Sequence, residues 1–68
     1  MKYRDFIEII EKHGFVWKRT RGDHHQYEGF VEDQRRLVTV GGKASDDIVP
    51  GVLASMIRQS GLPKALFR

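Results

Sequence analysis

Apolar residues recur at helical spacing near both ends of the chain. The first stripe lies within residues 3–13 and consists of Tyr3, Phe6, Ile7 and Ile10. Charged residues take the other side, so the segment is predicted to be an amphipathic helix that Gly14 ends in a left-handed conformation. A second stripe within residues 50–60 predicts another helix, which begins at Pro50 and stops before Gly61.

The segment between these helices has strand composition. Residues 15–20, 24–30 and 35–40 are rich in aromatic and β-branched side chains. A glycine turn at Arg21-Gly22-Asp23 separates the first two strands, and the polar residues 31–34 separate the last two. Three strands joined by short connections predict an antiparallel meander.

The predicted order is therefore helix, three strands, helix, in one α+β domain that covers residues 1–68. Both helices are expected to cover the same face of the sheet, which leaves the other face to solvent or a ligand. This α-β-β-β-α order is that of the double-stranded-RNA-binding domain. Residues 41–47 are expected to form a flexible polar loop, and residues 64–67 a final short turn.

Composition narrows the possible chemistry. The chain has no cysteine, so disulfides and thiolate metal sites are excluded. Its three histidines and nine carboxylates show no metal-ligand spacing, and we expect neither a metal nor a cofactor. No apolar run reaches transmembrane length and no signal-peptide pattern opens the chain, so a cytoplasmic protein that does not contact membranes is expected.

The net charge of +3 makes a polyanion or an acidic protein a plausible partner. The basic residues form a cluster at Lys18, Arg19 and Arg21, with a pair at Arg35 and Arg36. One interpretation is a surface that binds phosphates. The alternative is a solvated sheet edge whose charges prevent pairing with another sheet.

Two adjacent histidines follow the glycine turn, in Arg21-Gly22-Asp23-His24-His25-Gln26-Tyr27. Successive side chains of a strand point to opposite faces, so His24 and His25 are predicted to diverge rather than act as a pair. Spacing alone leaves open which of them is presented to a ligand. A surface histidine bound to the turn backbone would satisfy the same pattern.

Five segments together resemble the HicA toxin family, small mRNA interferases also grouped as YcfA-like proteins. The segments are Glu11-Lys12-His13-Gly14-Phe15, Gly22-Asp23-His24-His25-Gln26-Tyr27, Leu37-Val38-Thr39-Val40, Pro50-Gly51-Val52-Leu53 and Ile57-Arg58-Gln59-Ser60-Gly61-Leu62. They span nearly the whole chain, in the family's order and at compatible spacings. The family's fold is the double-stranded-RNA-binding one, which agrees with the predicted order of elements.

The resemblance implies the toxin of a type II toxin–antitoxin system, a metal-independent endoribonuclease that cleaves mRNA. In the family pattern Gly22 is the turn glycine, His24 the functional histidine and Tyr27 the aromatic residue, while His25 falls on a variable position. The resemblance also implies a HicB-type antitoxin that covers the His24 face. The toxin would then be a monomer when free and form a hetero-oligomer with the antitoxin. Asp23 departs from the family's small residue and places a carboxylate next to His24.

A ribonuclease can use the ribose 2′-hydroxyl as its nucleophile. It then needs a base, an acid for the leaving oxygen and cations for the phosphorane charge. His24 can serve as base or acid, since histidine titrates near neutrality. The residues predicted to bind RNA are Lys18, Arg19, Arg21 and Arg36, which would hold phosphates, and Tyr27 or Trp17, which would stack on bases. The alternatives are an RNA-binding module of the same fold without cleavage, and a subunit whose sheet binds only an acidic protein.

Overall fold

The computed structural model describes residues 1–68. Its elements are α1 (Tyr3–Lys12), β1 (Val16–Arg21), β2 (His24–Val31), β3 (Gln34–Gly41), α2 (Pro50–Ser60) and a closing 3₁₀ helix (Lys64–Phe67). This confirms the predicted α-β-β-β-α order and the α+β class. The predicted ends of helices and strands differ from the observed ones by at most one residue.

The three strands form one antiparallel sheet in the order β1-β2-β3. The connection between β2 and β3 is tighter than the polar segment predicted over residues 31–34. Val31 pairs with Gln34, so only Glu32 and Asp33 form the turn. Both adopt left-handed backbone conformations, with φ of 53° and 65°. A two-residue hairpin turn requires such conformations, because only then does its twist match that of the two strands.

Strand β1 contains an irregularity at Lys18. Trp17 pairs with Tyr27, but the next paired residue of β1 is Arg19, opposite Gln26, so Lys18 has no partner in the register. Such a β-bulge inserts one extra residue and changes which side chains share a face. After the bulge, Arg19 and Arg21 lie on the face opposite to that of Trp17.

The core lies between the helices and one face of the sheet. Phe6 and Ile10 of α1 are fully buried, as are Val38 and Val40 of β3. Met56 of α2 joins the same cluster, and Phe67 of the 3₁₀ helix stacks on Phe6 with ring centroids 5.0 Å apart. Burying one such side chain contributes about 1.5–3 kcal/mol. Both helices therefore pack on a single sheet face, as predicted.

The loop of residues 41–47 has contacts that the sequence did not predict. The carbonyl oxygens of Ala44 and Asp46 accept hydrogen bonds from the first backbone N–H groups of α1, those of Arg4 and Tyr3. The backbone N–H of Ile48 donates to the carbonyl of Met1. The loop is thereby attached to the start of α1. None of the helices is long and apolar enough to span a membrane.

Candidate functional site

The sheet face that points away from the core, called the outer face below, carries most of the predicted functional side chains. Directly opposed residues of an antiparallel pair point to the same side, so the strand register assigns each residue to a face. By this assignment the outer face presents Val16, Arg19, Arg21, His24, Gln26, Glu28, Phe30, Arg35, Leu37 and Thr39. Lys18 has no register partner, but its ion pair with Glu28 places it on the same face.

His24 begins β2 directly after the turn at Gly22 and is exposed on the outer face. It pairs with Gly41 at the end of β3, and its imidazole lies across that glycine. A Cβ atom at position 41 would stand 2.8 Å from Cδ2 and 3.0 Å from Nε2 of His24. The observed ring position therefore depends on the absence of a side chain at Gly41.

His25 lies on the opposite face and is held by side-chain hydrogen bonds. Its Nδ1 is 2.8 Å from the Thr20 hydroxyl, which accepts a hydrogen bond of 3.0 Å from the indole N–H of Trp17. Since the hydroxyl oxygen accepts from the indole, its own hydrogen can be donated to Nδ1 of a neutral imidazole. The predicted divergence of the two histidines is confirmed, and His25 has a structural contact across β1 and β2.

Two arginines on the outer face have no ionic partner. Arg21 is directly opposite His24 in the register and Arg19 is opposite Gln26. Both are exposed, and neither forms an ion pair within the protein. Their guanidinium groups are therefore free to bind an anionic ligand close to His24.

Lys18 is also on the outer face, but its charge is compensated by Glu28. The Lys18 Nζ lies 3.4 Å from one carboxylate oxygen of Glu28, and the Nε of Arg35 donates to the other. The hydrogen bond from Arg35 is the main cause that holds the pKa of Glu28 below its ordinary value of 4.5, with the charges of Lys18 and Arg35 adding to it. Glu28 therefore stays ionised and joins β1, β2 and β3.

Two of the residues predicted to bind RNA lie on the sheet face opposite to that of His24. Tyr27 faces the core with only 9% of its surface exposed, and burial together with the charge of Glu11 raises its pKa above 10.0. Arg36 is paired with Gly29 on the same face, and its guanidinium packs against Gly61 at the end of α2. Strand alternation turns both side chains toward the helices, so neither lies beside His24, and their contact with RNA stays a prediction.

A cavity of about 500 Å³ lies beside His24, where α2 runs along β3. Its lining includes His24, Thr39, Gly41, Val52, Ser55 and Gln59. The α2 residues of this cavity were not predicted from the sequence. Their spacing of three and four positions along one helix face was the available signal, but only the packing of α2 on β3 shows that this face meets His24.

Asp23 is placed away from this cavity. It lines a separate cavity of about 490 Å³ together with His25, Lys43 and Asp46. The carboxylates of Asp23 and Asp46 thus lie on the side of His25. Nowhere in the chain do three or more His, Cys, Asp or Glu side chains come together in a group that could hold a metal ion.

The first turn of α2 adds a further electrostatic feature to the cavity beside His24. No acidic residue lies in this turn, and no side chain caps its start at Val49. The backbone N–H groups at this helix end keep their partial positive charge. Together with Arg19 and Arg21, this helix end can bind an anion. The imidazole of His24 can transfer a proton at the same place.

The family model described as "HicA toxin of bacterial toxin-antitoxin" matches residues 3–62. The match runs from the first residue of α1 to just beyond α2 and so includes the whole sheet with His24. No curated protein and no solved structure matches the chain. The chain belongs to the HicA toxin family of bacterial toxin–antitoxin systems.

Proposed function

We propose that this toxin is an endoribonuclease that cleaves mRNA without a metal ion, with His24 as its acid–base group. One observation carries the proposal, which is the position of His24. Its imidazole is exposed on the outer face, beside two arginines that have no ionic partner. An exposed histidine next to free guanidinium groups provides a proton-transfer group and phosphate-binding groups in the same place.

The reaction begins when the ribose 2′-oxygen attacks the adjacent phosphorus. The bond between phosphorus and the 5′-oxygen breaks, leaving a 2′,3′-cyclic phosphate on one fragment and a 5′-hydroxyl on the other. His24 either takes the proton of the 2′-hydroxyl or gives one to the 5′-oxygen, and a water molecule makes the other of these two proton transfers. Arg19 and Arg21 hold the phosphate charge as it develops. One such acid–base group accelerates a reaction by roughly 10²–10⁴-fold.

The bound RNA extends along β2 on the outer face. Phe30, at the far end of the strand, is 66% exposed and takes the place of Tyr27 as an aromatic surface for base stacking. It lies six positions along the strand from His24, which corresponds to about 20 Å of extended strand. Bases several nucleotides from the cleaved bond can therefore contact Phe30 while the scissile phosphate lies at His24.

The proposed partner is a HicB-type antitoxin that covers the outer face. A protein bound there would exclude RNA from His24 and neutralise the free arginines at the same time. The toxin is then a monomer when free and part of a hetero-oligomer when inhibited. A partner with acidic side chains opposite Arg19 and Arg21 fits the charge of this face.

Induced expression in bacterial cells tests the toxin activity. The wild-type chain should arrest growth, His24→Ala should not, and His25→Ala should still do so at equal protein levels. Equal arrest by all three would overturn the role of His24. If none arrests growth while purified wild-type protein shifts RNA in a salt-sensitive manner, the chain is an RNA-binding module that does not cleave.

A further inference from the structure

We infer that the cavity between β3 and α2 is a binding site for one nucleobase of the RNA. The inference rests on the proposed function, because it places this base next to the phosphate at which His24 transfers a proton. His24 lines the cavity together with residues of α2. A base that enters it would belong to a nucleotide adjoining the cleaved bond, so the cavity would select the cleavage site.

Gln59 supplies the polar group that can recognise a base edge. Its side-chain oxygen accepts a hydrogen bond of 3.1 Å from the backbone N–H of Thr39. Because this N–H is a donor only, it fixes which end of the amide faces β3. The side-chain NH₂ of Gln59 then points away from the strand, and no protein group accepts its hydrogens. The amide therefore offers the two hydrogens of its NH₂ group to a ligand.

The rest of the cavity suits a flat aromatic ligand. Val52 is 45% exposed and provides an apolar surface above the buried Met56. Ser55 adds a hydroxyl that has no hydrogen-bond partner in the protein. The lining of the cavity is mixed, since Tyr3, Val52 and Met56 are hydrophobic while His24, Thr39, Ser55 and Gln59 are polar. Its volume of about 500 Å³ is within the range of small-molecule sites. Single-stranded RNA is read through unstacked bases bound by their edges.

The donor pattern defines the class of base. The NH₂ of Gln59 favours an edge that presents a carbonyl oxygen or a ring nitrogen with a free lone pair, and it disfavours an edge that presents an amino group there. One neutral hydrogen bond of this kind contributes about 0.5–1.5 kcal/mol. The expected preference for the favoured base is therefore about 2–10-fold in cleavage rate.

Two variants of Gln59 test the inference. Gln59→Glu keeps an oxygen for the Thr39 N–H but removes the amide donors, and Gln59→Leu removes both. The matched control is Gln34→Glu, which adds the same charge at an exposed glutamine outside the cavity. The probe is a short RNA made uncleavable by 2′-O-methyl groups. Its binding is followed by NMR through the side-chain NH₂ signals of Gln59, and cleavage of unmodified RNA is mapped for base preference.

We expect the Gln59 NH₂ signals of the wild-type protein to shift saturably with RNA. Both Gln59 variants should lose about 2–10-fold of base preference at one position beside the cut, and Gln34→Glu should keep it. Unmoved Gln59 signals with shifts at His24 and Arg21 would overturn the base site while leaving the proposed function intact. Shifts nowhere on the protein would overturn both. A folded Gln59→Glu protein, shown by an unchanged Thr39 signal, with unaltered base preference would also overturn the base site.

Discussion

The position of the His24 ring depends on a glycine in another strand. Gly41 has no side chain where the imidazole lies, and a Cβ there would approach Cδ2 to 2.8 Å. Alternation along β2 was enough to separate His24 from His25 in the sequence. The role of Gly41 could not be predicted, because it arises from pairing between residues far apart in the chain.

Gly41→Ala should therefore reduce cleavage without unfolding the protein. The added methyl group moves the imidazole from its position, and a misplacement of about 1 Å can cost as much as 10²-fold in rate. We expect kcat to fall by about 10–100-fold in single-turnover cleavage assays. The circular dichroism spectrum should stay that of the wild type.

A double-mutant cycle provides the control for Gly41. If the methyl group acts through His24, Gly41→Ala should have almost no effect in a His24→Ala background. Equal losses in both backgrounds would show that Gly41 affects the reaction by another route.

Among the elements, β1 departs most from the simple strand pattern. Strict alternation would put Arg19 and Arg21 on the same face as Trp17, toward the helices. The bulge at Lys18 moves them to the face of His24. The basic cluster was visible in the sequence, but its orientation was not, because a bulge depends on how β1 pairs with β2.

The two unpaired arginines of β1 should dominate the electrostatic part of RNA binding. Arg19→Gln and Arg21→Gln should each reduce the slope of log K against log salt concentration by about 0.7, the value for one phosphate contact with single-stranded RNA. Lys18→Gln should have a smaller effect, since Glu28 already compensates that charge. Fluorescence anisotropy with uncleavable RNA measures the slope.

Arg4→Gln is the matched control for these arginines. Arg4 is exposed on α1, on the other side of the sheet, and its loss should leave the slope unchanged. An equal reduction in Arg4→Gln and Arg21→Gln would mean that RNA does not bind preferentially to the outer face.

Glu28 should make the stability of the sheet dependent on pH. The folded state lowers the pKa of Glu28 below 4.5, so the carboxylate stabilises the fold above that pH and this contribution is lost as the pH falls through the lowered pKa. Glu28→Gln should be less stable than the wild type at neutral pH, and the difference should shrink under acid conditions. Urea unfolding over a pH series measures it.

Glu32→Gln serves as the control for the pH series. Glu32 is exposed in the turn between β2 and β3 and forms no ion pair. The free energy of unfolding of Glu32→Gln should differ little from that of the wild type at every pH. If the difference in free energy of unfolding between Glu28→Gln and the wild type stays constant with pH, the ionic role of Glu28 is contradicted.

At the scale of the whole molecule, packing in the core limits which side chains can occupy the inner face of the sheet. Gly29 of β2 lies under the ring of Phe15, and a Cβ there would come within 2.6–2.8 Å of three ring atoms. Gly29→Ala should therefore destabilise the fold by about 1–3 kcal/mol through overpacking. Urea denaturation measures this change.

Gly51→Ala provides the comparison for Gly29. Gly51 lies in the first turn of α2, and an added Cβ would meet no atom within 4 Å. Alanine in a helix is better than glycine by about 0.5–1 kcal/mol, so this variant should be more stable than the wild type. Similar destabilisation by both substitutions would contradict the packing of Phe15 on Gly29.

The overall fold could be predicted because its signals are local. Apolar stripes marked both helices, and glycine stops at Gly14 and Gly61 marked their ends. The cavity beside His24 could not be predicted, since it exists only because α2 packs along β3, where Gln59 accepts the hydrogen bond of Thr39. Patterns within a segment indicate whether it is a helix or a strand, whereas the faces of a bulged strand and a site formed between segments depend on how the segments pair and pack.

Cleavage of RNA by purified protein in the presence of EDTA tests the central claim most directly. Wild-type protein and His25→Ala should produce fragments that end in a 2′,3′-cyclic phosphate and a 5′-hydroxyl. His24→Ala should be slower by roughly 10²–10⁴-fold under single-turnover conditions. Intact RNA with wild-type protein, or equal cleavage by wild type and His24→Ala, would contradict the assignment of His24 as the catalytic residue.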